Sequence, residues 1–212
     1  VATFLSVFGK QTRSESAGPA QARFSPGEIL LAVAMFGLDL GSTLDADPPL
    51  VAAVLQACLI AGLIAAGLST LWWRFTKTRT LAESLTFGFI AGMVSISGAA
   101  DIVGLIDAVV IGAVAGAVIP GVIVLLDKIK WNDPLCIGPI HGMGGIIGIL
   151  SPALIPSEEN FATPIGQLVL LLAVPTLAIL TTLFIGLLAG ATGTLFANTD
   201  KKHPPSLPQK RI

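Results

Sequence analysis

The chain of 212 residues is 53% hydrophobic and only 12% charged, where a soluble domain carries roughly 25% charged residues. With a mean hydropathy of +0.85, this composition excludes a water-soluble globular domain and requires an integral membrane protein. A formal net charge of -1, without any basic patch interleaved with aromatics, excludes nucleic acid as a partner.

The apolar residues fall into runs of about 20, the length of helix that crosses a hydrocarbon core of about 30 Å. Helices satisfy every backbone hydrogen bond inside a bilayer, and the alternating pattern of a transmembrane barrel is missing. The predicted class is therefore all-α, a polytopic transmembrane bundle of about six spans. Residues 1–25 read as the end of a preceding helix, VATFLSVF, followed by a polar cytoplasmic loop. That opening segment is too short to span and lacks the basic front of a signal peptide.

Residues 26–197 form the predicted six-span domain. The first span, 26–44, contains MFGLDLGS, which places Asp39 inside it while Gly37 and Gly41 thin its apolar surface. An aspartate near mid-helix costs about 2.5 to 3.5 kcal/mol on insertion scales, so this helix is expected to pack among others. After an acidic turn, span two (50–73) closes on Trp72, Trp73 and Arg74, an aromatic and basic interface anchor. Spans three (81–100) and four (105–126) contain the pairs Gly88 with Gly92 and Gly112 with Gly116, a spacing that lets helix backbones approach. Span five covers 135–155, with Gly142, Gly144, Gly145 and Gly148 as packing positions. Span six, 164–196, is long enough to tilt, kink at Pro175 or extend beyond the membrane. The Lys- and Pro-rich tail, 198–212, is expected to be flexible and cytoplasmic.

Alternate loops of such a bundle lie on opposite sides, which makes the charges a test of topology. Lys10, Arg13 and Arg23 precede span one, and Arg74, Lys77 and Arg79 join spans two and three. Lys128 and Lys130 join four and five, while Lys201, Lys202, Lys210 and Arg211 follow span six. All 12 basic residues thus fall on one side, and Asp45, Asp47, Asp101, Glu158 and Glu159 on the other. The positive-inside rule then makes both ends of the chain cytoplasmic, and so one-sided a bias argues against an antiparallel homodimer.

One histidine, His141, stands in the uncharged run CIGPIHGMGGIIGIL, and the only other lies in the polar tail. A buried imidazole must bond to a packed neighbour, line a wet cavity or pass protons, and position alone leaves these open. Asp39 reads by position as hydrogen-bonded to a nearby helix. Ser42, at a helix end, reads by position as a cap. Cys58 and Cys136 both fall in apolar runs without metal-ligand spacing and read as small core residues. Nothing has the pattern of a catalytic triad, a metal cluster or a phosphate loop, so neither enzymatic activity nor a cofactor is expected.

Three segments carry a family resemblance. FGLDLGS at 36–42 resembles the FGFNAGS of ammonium transporters of the Amt/Rh family, and ESLTFGFIAGMVSISGAAD at 83–101 resembles their LGALSGAIAGLVAITPACG. NDPLCIGPIHGMGGIIGIL at 132–150 resembles DDPLDVFGVHGVGGIVGAL, the most specific of the three. The order and spacing match the last six helices of that family. The resemblance implies a homotrimer of subunits in the plasma (inner) membrane, each with a pore enclosed by two inverted halves. It assigns His141 to one of two paired pore histidines and Ser42 to the outer ammonium site, where aromatic faces hold the cation. The other histidine and those aromatics belong to the first half of the fold, expected from the same polypeptide or a partner chain. Leu38 takes the place of the gating phenylalanine, Asp39 that of an asparagine, and Cys136 that of an aspartate, while Asp133 keeps its place. The tail lacks the family's regulatory pattern. The implied function is transmembrane transport of ammonium or ammonia through a pore lined by His141. The departures favour an alternative, a non-transporting membrane subunit with a structural or sensing role in a complex.

Overall fold

Prolines and side-chain caps set the helix boundaries in the computed structural model, which describes residues 26–44, 46–76, 80–131, 133, 135–155 and 163–191. The expectations for 1–25 and 198–212, for Asp45, Glu158 and Glu159, and for every basic residue except Arg74, Lys128 and Lys130 lie outside these residues. Among the described residues the chain forms six α-helices and one π-helical turn: α1 (Pro26–Ser42), α2 (Pro48–Thr76), α3 (Leu81–Ile96), α4 (Leu105–Lys128), the π turn (Gly138–Met143), α5 (Gly144–Leu154) and α6 (Pro164–Ala191). It is an all-helical membrane bundle. By contact the chain divides into two units at Leu171/Leu172. The first contains α1 to α5 and the start of α6, and the second the rest of α6, a helix that runs through Pro175 without ending.

The starts and ends have local causes. α1 closes when the Ser42 and Thr43 hydroxyls donate to the carbonyls of Asp39 and Leu40, both at 2.8 Å, and Leu44 then adopts a left-handed φ of 54°. α3 begins with a reciprocal cap: the Thr80 N–H donates to the Glu83 carboxylate at 2.9 Å, and the Glu83 N–H to the Thr80 hydroxyl at 3.3 Å. α4 begins with the Gly104 N–H on the Asp107 carboxylate at 3.2 Å.

Three helices, Pro48–Thr76, Leu105–Lys128 and Pro164–Gly190, are long and apolar enough to cross a membrane by themselves. The third expected span, 81–100, is shorter as helix. α3 stops at Ile96, where the Ser97 hydroxyl and N–H both turn back to the Met93 carbonyl, and its 16 residues reach only about 24 Å. The fifth is divided between the π turn and α5.

Within the first unit, α2 packs between α3 and α4. Its buried face is a stripe of small residues, Ala57, Ala61, Ala65 and Ser69, one every turn. A Cβ added at Gly112 would lie 2.8 Å from the Ala61 Cα, and one at Gly116 the same distance from the Ala65 Cα. At Gly92 it would run into the Ala61 carbonyl, and at Gly88 it would lie 2.7 Å from the Ala66 Cα. Both neighbours of α2 therefore meet it backbone to backbone. Between helices in lipid there is little hydrophobic drive to associate, so dispersion attraction across this close approach is what holds them together. α5 closes on the end of α3 in the same manner: Gly98 faces the Gly148 carbonyl, and a Cβ at Gly144 would meet Val94 at 3.0 Å.

Candidate functional site

Helix α1 sorts the residues of its motif by rotation. Leu38 is 62% exposed and Ser42, one turn later, is exposed as well. Asp39, next to Leu38, is 2% exposed, with Met35 one turn before it at 8%. The Ser42 hydroxyl spends its proton on the Asp39 carbonyl, which leaves its oxygen lone pairs to accept from a donor such as a cationic N–H.

Asp39 is buried between helices, where it makes the hydrogen bond to a nearby helix that its position in the sequence suggests. Its Oδ2 accepts from the Cys58 thiol of α2 at 3.1 Å, and the Ser97 side chain at the end of α3, whose proton goes to the Met93 carbonyl, lies beside the same carboxyl. A carboxyl in an apolar bundle has to find donors of this kind, since an unpartnered one would cost several kcal/mol. From sequence, Cys58 is legible only as a small core residue. Nothing in its local sequence points to Asp39, which lies 19 positions away.

His141 is held by a different device. The Asp133 carboxylate accepts from the Ile137 N–H at 3.1 Å and the Gly138 N–H at 2.7 Å, capping the start of the helical segment. Cys136, in between, takes a left-handed φ of 53° and is buried. The following turn is π-helical from Gly138 to Met143, one residue wider than an α turn and a recurrent feature of functional sites. Pro139 is tolerated because it lies in the first turn, where an N–H has no helical acceptor. This winding buries Ile140 at 3% exposure and leaves His141 and Gly142 exposed. Among the described residues no side chain hydrogen-bonds the imidazole. The aspartate followed by proline could have been read as a cap; the π turn has no sequence signal that local propensity supplies.

The structure thus brings Leu38 and Ser42 together on one face of α1 and separates Asp39 from them. His141 stands on another element, and among the described residues no hydrogen bond joins it to α1. Two apolar cavities lie elsewhere. One of about 430 Å³ is bounded by α1, α2 and α3, including Ile29, Phe36, Leu63 and Phe89, and one of about 370 Å³ by α4 and α5, including Val110, Val114, Ile147 and Leu154.

Known proteins match most of this chain. The family model described as Ammonium Transporter Family matches residues 9–204. The ammonium transporter of Bacillus subtilis (strain 168) is 30% identical over 150 residues, covering 70% of this chain and 37% of the relative. That of Aquifex aeolicus (strain VF5) is 28% identical over 143 residues, covering 65% and 33%. An ammonium transporter of Methanocaldococcus jannaschii is 27% identical over 124 residues, covering 58% and 28%. The chain therefore spans about a third of the length of the curated relatives it matches. With the family match running through every described helix, the chain belongs to the ammonium transporter family.

Proposed function

We propose that this chain forms one wall of a pathway for ammonium-derived nitrogen across a cell membrane, with Leu38, Ser42 and His141 facing the lumen. The observation that carries this reading is the exposure of His141, to which no side chain hydrogen-bonds among the described residues, on a helix turn whose preceding residue is buried. An imidazole turned toward lipid is costly, so an exposed one in a bundle helix is best accounted for by an opposing wall and a wet or proton-conducting path. The rest of the fold, from the same polypeptide or a partner chain, supplies that wall.

Ser42 offers acceptor lone pairs to a dehydrating cation at the outer end. Loss of a proton there converts the cation to a neutral molecule, which crosses an apolar constriction at Leu38 without the penalty of burying a charge. His141, paired with an imidazole of the opposing wall, gives the proton a separate route. Both termini are cytoplasmic, the assembly is a trimer, and the membrane is the plasma membrane.

Ammonium uptake measured in cells lacking other ammonium transporters, with the complete assembly expressed, tests this. His141→Ala is expected to lower uptake at least tenfold, about the effect of losing a positioned proton carrier. Unchanged uptake would remove His141 from the pathway.

A further inference from the structure

Helix α1 has little in its apolar sequence to decide which face turns inward. Among its described side chains only Met35 and Asp39 are buried. Met35 is a flexible side chain that fits many shapes and specifies rotation weakly. Asp39 differs in kind, because its carboxyl is satisfied in one orientation only. Rotating α1 by one residue, about 100°, would carry it from the Cys58 thiol and the Ser97 side chain toward lipid. Cys58 itself is fully buried, at 0% exposure, on the middle of α2. The carboxyl therefore joins α1 to α2 at one point, beside the end of α3, and the Asp39 carbonyl holds the Ser42 hydroxyl from the same residue. A single interior polar residue that fixes register among otherwise interchangeable apolar contacts is a known use of such groups.

The geometry points to Asp39 as a positioning residue: through Cys58 its side chain fixes the rotation of α1 that presents Leu38 and Ser42 to the pathway. This rests on the lumen reading of those two residues for its functional meaning, though the rotational lock itself does not depend on transport. Asparagine keeps the shape and offers Cys58 an oxygen acceptor, whereas alanine removes the link.

Maleimide labelling in intact membranes reads the rotation directly. Leu38→Cys and Met35→Cys are made singly in the full assembly, and the ratio of their labelling rates is measured in native, Asp39→Asn and Asp39→Ala backgrounds. The buried native cysteines are subtracted with proteins carrying neither added thiol. The ratio is expected to stay high with Asp39→Asn and to fall about threefold or more with Asp39→Ala, the fold-change of one interhelical hydrogen bond in a bilayer. An unchanged ratio in Asp39→Ala, or an equal fall in Asp39→Asn, overturns the lock. Should Asp39→Ala fail to insert, Cys58→Ala serves in its place: a fall supports the lock and an unchanged ratio overturns it. Uptake kinetics form the second arm, in which Asp39→Ala is expected to raise KM by more than it lowers the maximal rate. A fall in the labelling ratio in an assembly that takes up no ammonium in any form would strike out the pathway reading and leave the lock standing.

Discussion

Adjacent residues in this chain have opposite fates, and the reason is rotational. Leu38 and Asp39 are 62% and 2% exposed, His141 is exposed and Ile140 is 3% exposed. A change of one position on a helix is a turn of about 100°, enough to move a side chain from the bundle to its outside. Residue-scale stability is most testable at Asp133, whose carboxylate accepts two main-chain N–H groups. Asp133→Ala should lower stability by about 1 kcal/mol, the usual loss for a helix cap, seen as an earlier unfolding midpoint in detergent. Asp133→Asn, which keeps one acceptor oxygen, should recover part of it. An unaltered midpoint in Asp133→Ala would mean that the two bonds are replaced at no cost. The motif made His141 and Ser42 legible as candidates. A helix-to-helix bond for Asp39 was legible as well, but not its partner, because nothing local to 36–42 encodes where Cys58 lies.

At the scale of elements the pattern of small residues decides the packing. Ala61 is met by Gly92 from α3 and Gly112 from α4, so its carbonyl is enclosed from two sides. Gly92→Val and Gly112→Val are each expected to destabilise by about 1 to 3 kcal/mol or to prevent insertion, since backbone cannot yield as a side-chain tip can. Gly67→Ala, at a helical glycine with open space around it, should instead stabilise by about 0.5 to 1 kcal/mol. Thermal unfolding of the three purified variants distinguishes them, and equal effects would show that backbone proximity is not what constrains Gly92 and Gly112. Helix positions were largely readable: the run predicted at 105–126 is α4 at Leu105–Lys128. The end of α3 and the π turn were not. The first depends on a serine turned back on its own helix and on Gly98 closing against Gly148, and the second has no signal in local propensity.

For the molecule as a whole, the charge asymmetry makes a topological prediction. Arg74 ends α2 and Lys128 ends α4, while Asp101 lies in the turn between α3 and α4. With the positive-inside rule, an impermeant maleimide applied to intact cells should label Asp101→Cys and leave Arg74→Cys and Lys128→Cys unlabelled until the membrane is opened. Labelling of the reverse set would invert the proposed orientation and put the Ser42 end of α1 on the cytoplasmic side.

Membrane residence, helical class and family follow from the sequence by itself, because composition, the length of apolar runs and short motifs are local properties of a chain. The facing of each helix does not. Helices this apolar offer no polar side to turn toward solvent, so hydrophobic periodicity carries almost no information about rotation. That phase is decided where helices touch, by glycines that admit a neighbouring backbone and by one carboxyl that must find a thiol. Only the tertiary structure brings those groups together, which is why it alone places Leu38, Ser42 and His141 outward and Asp39 within.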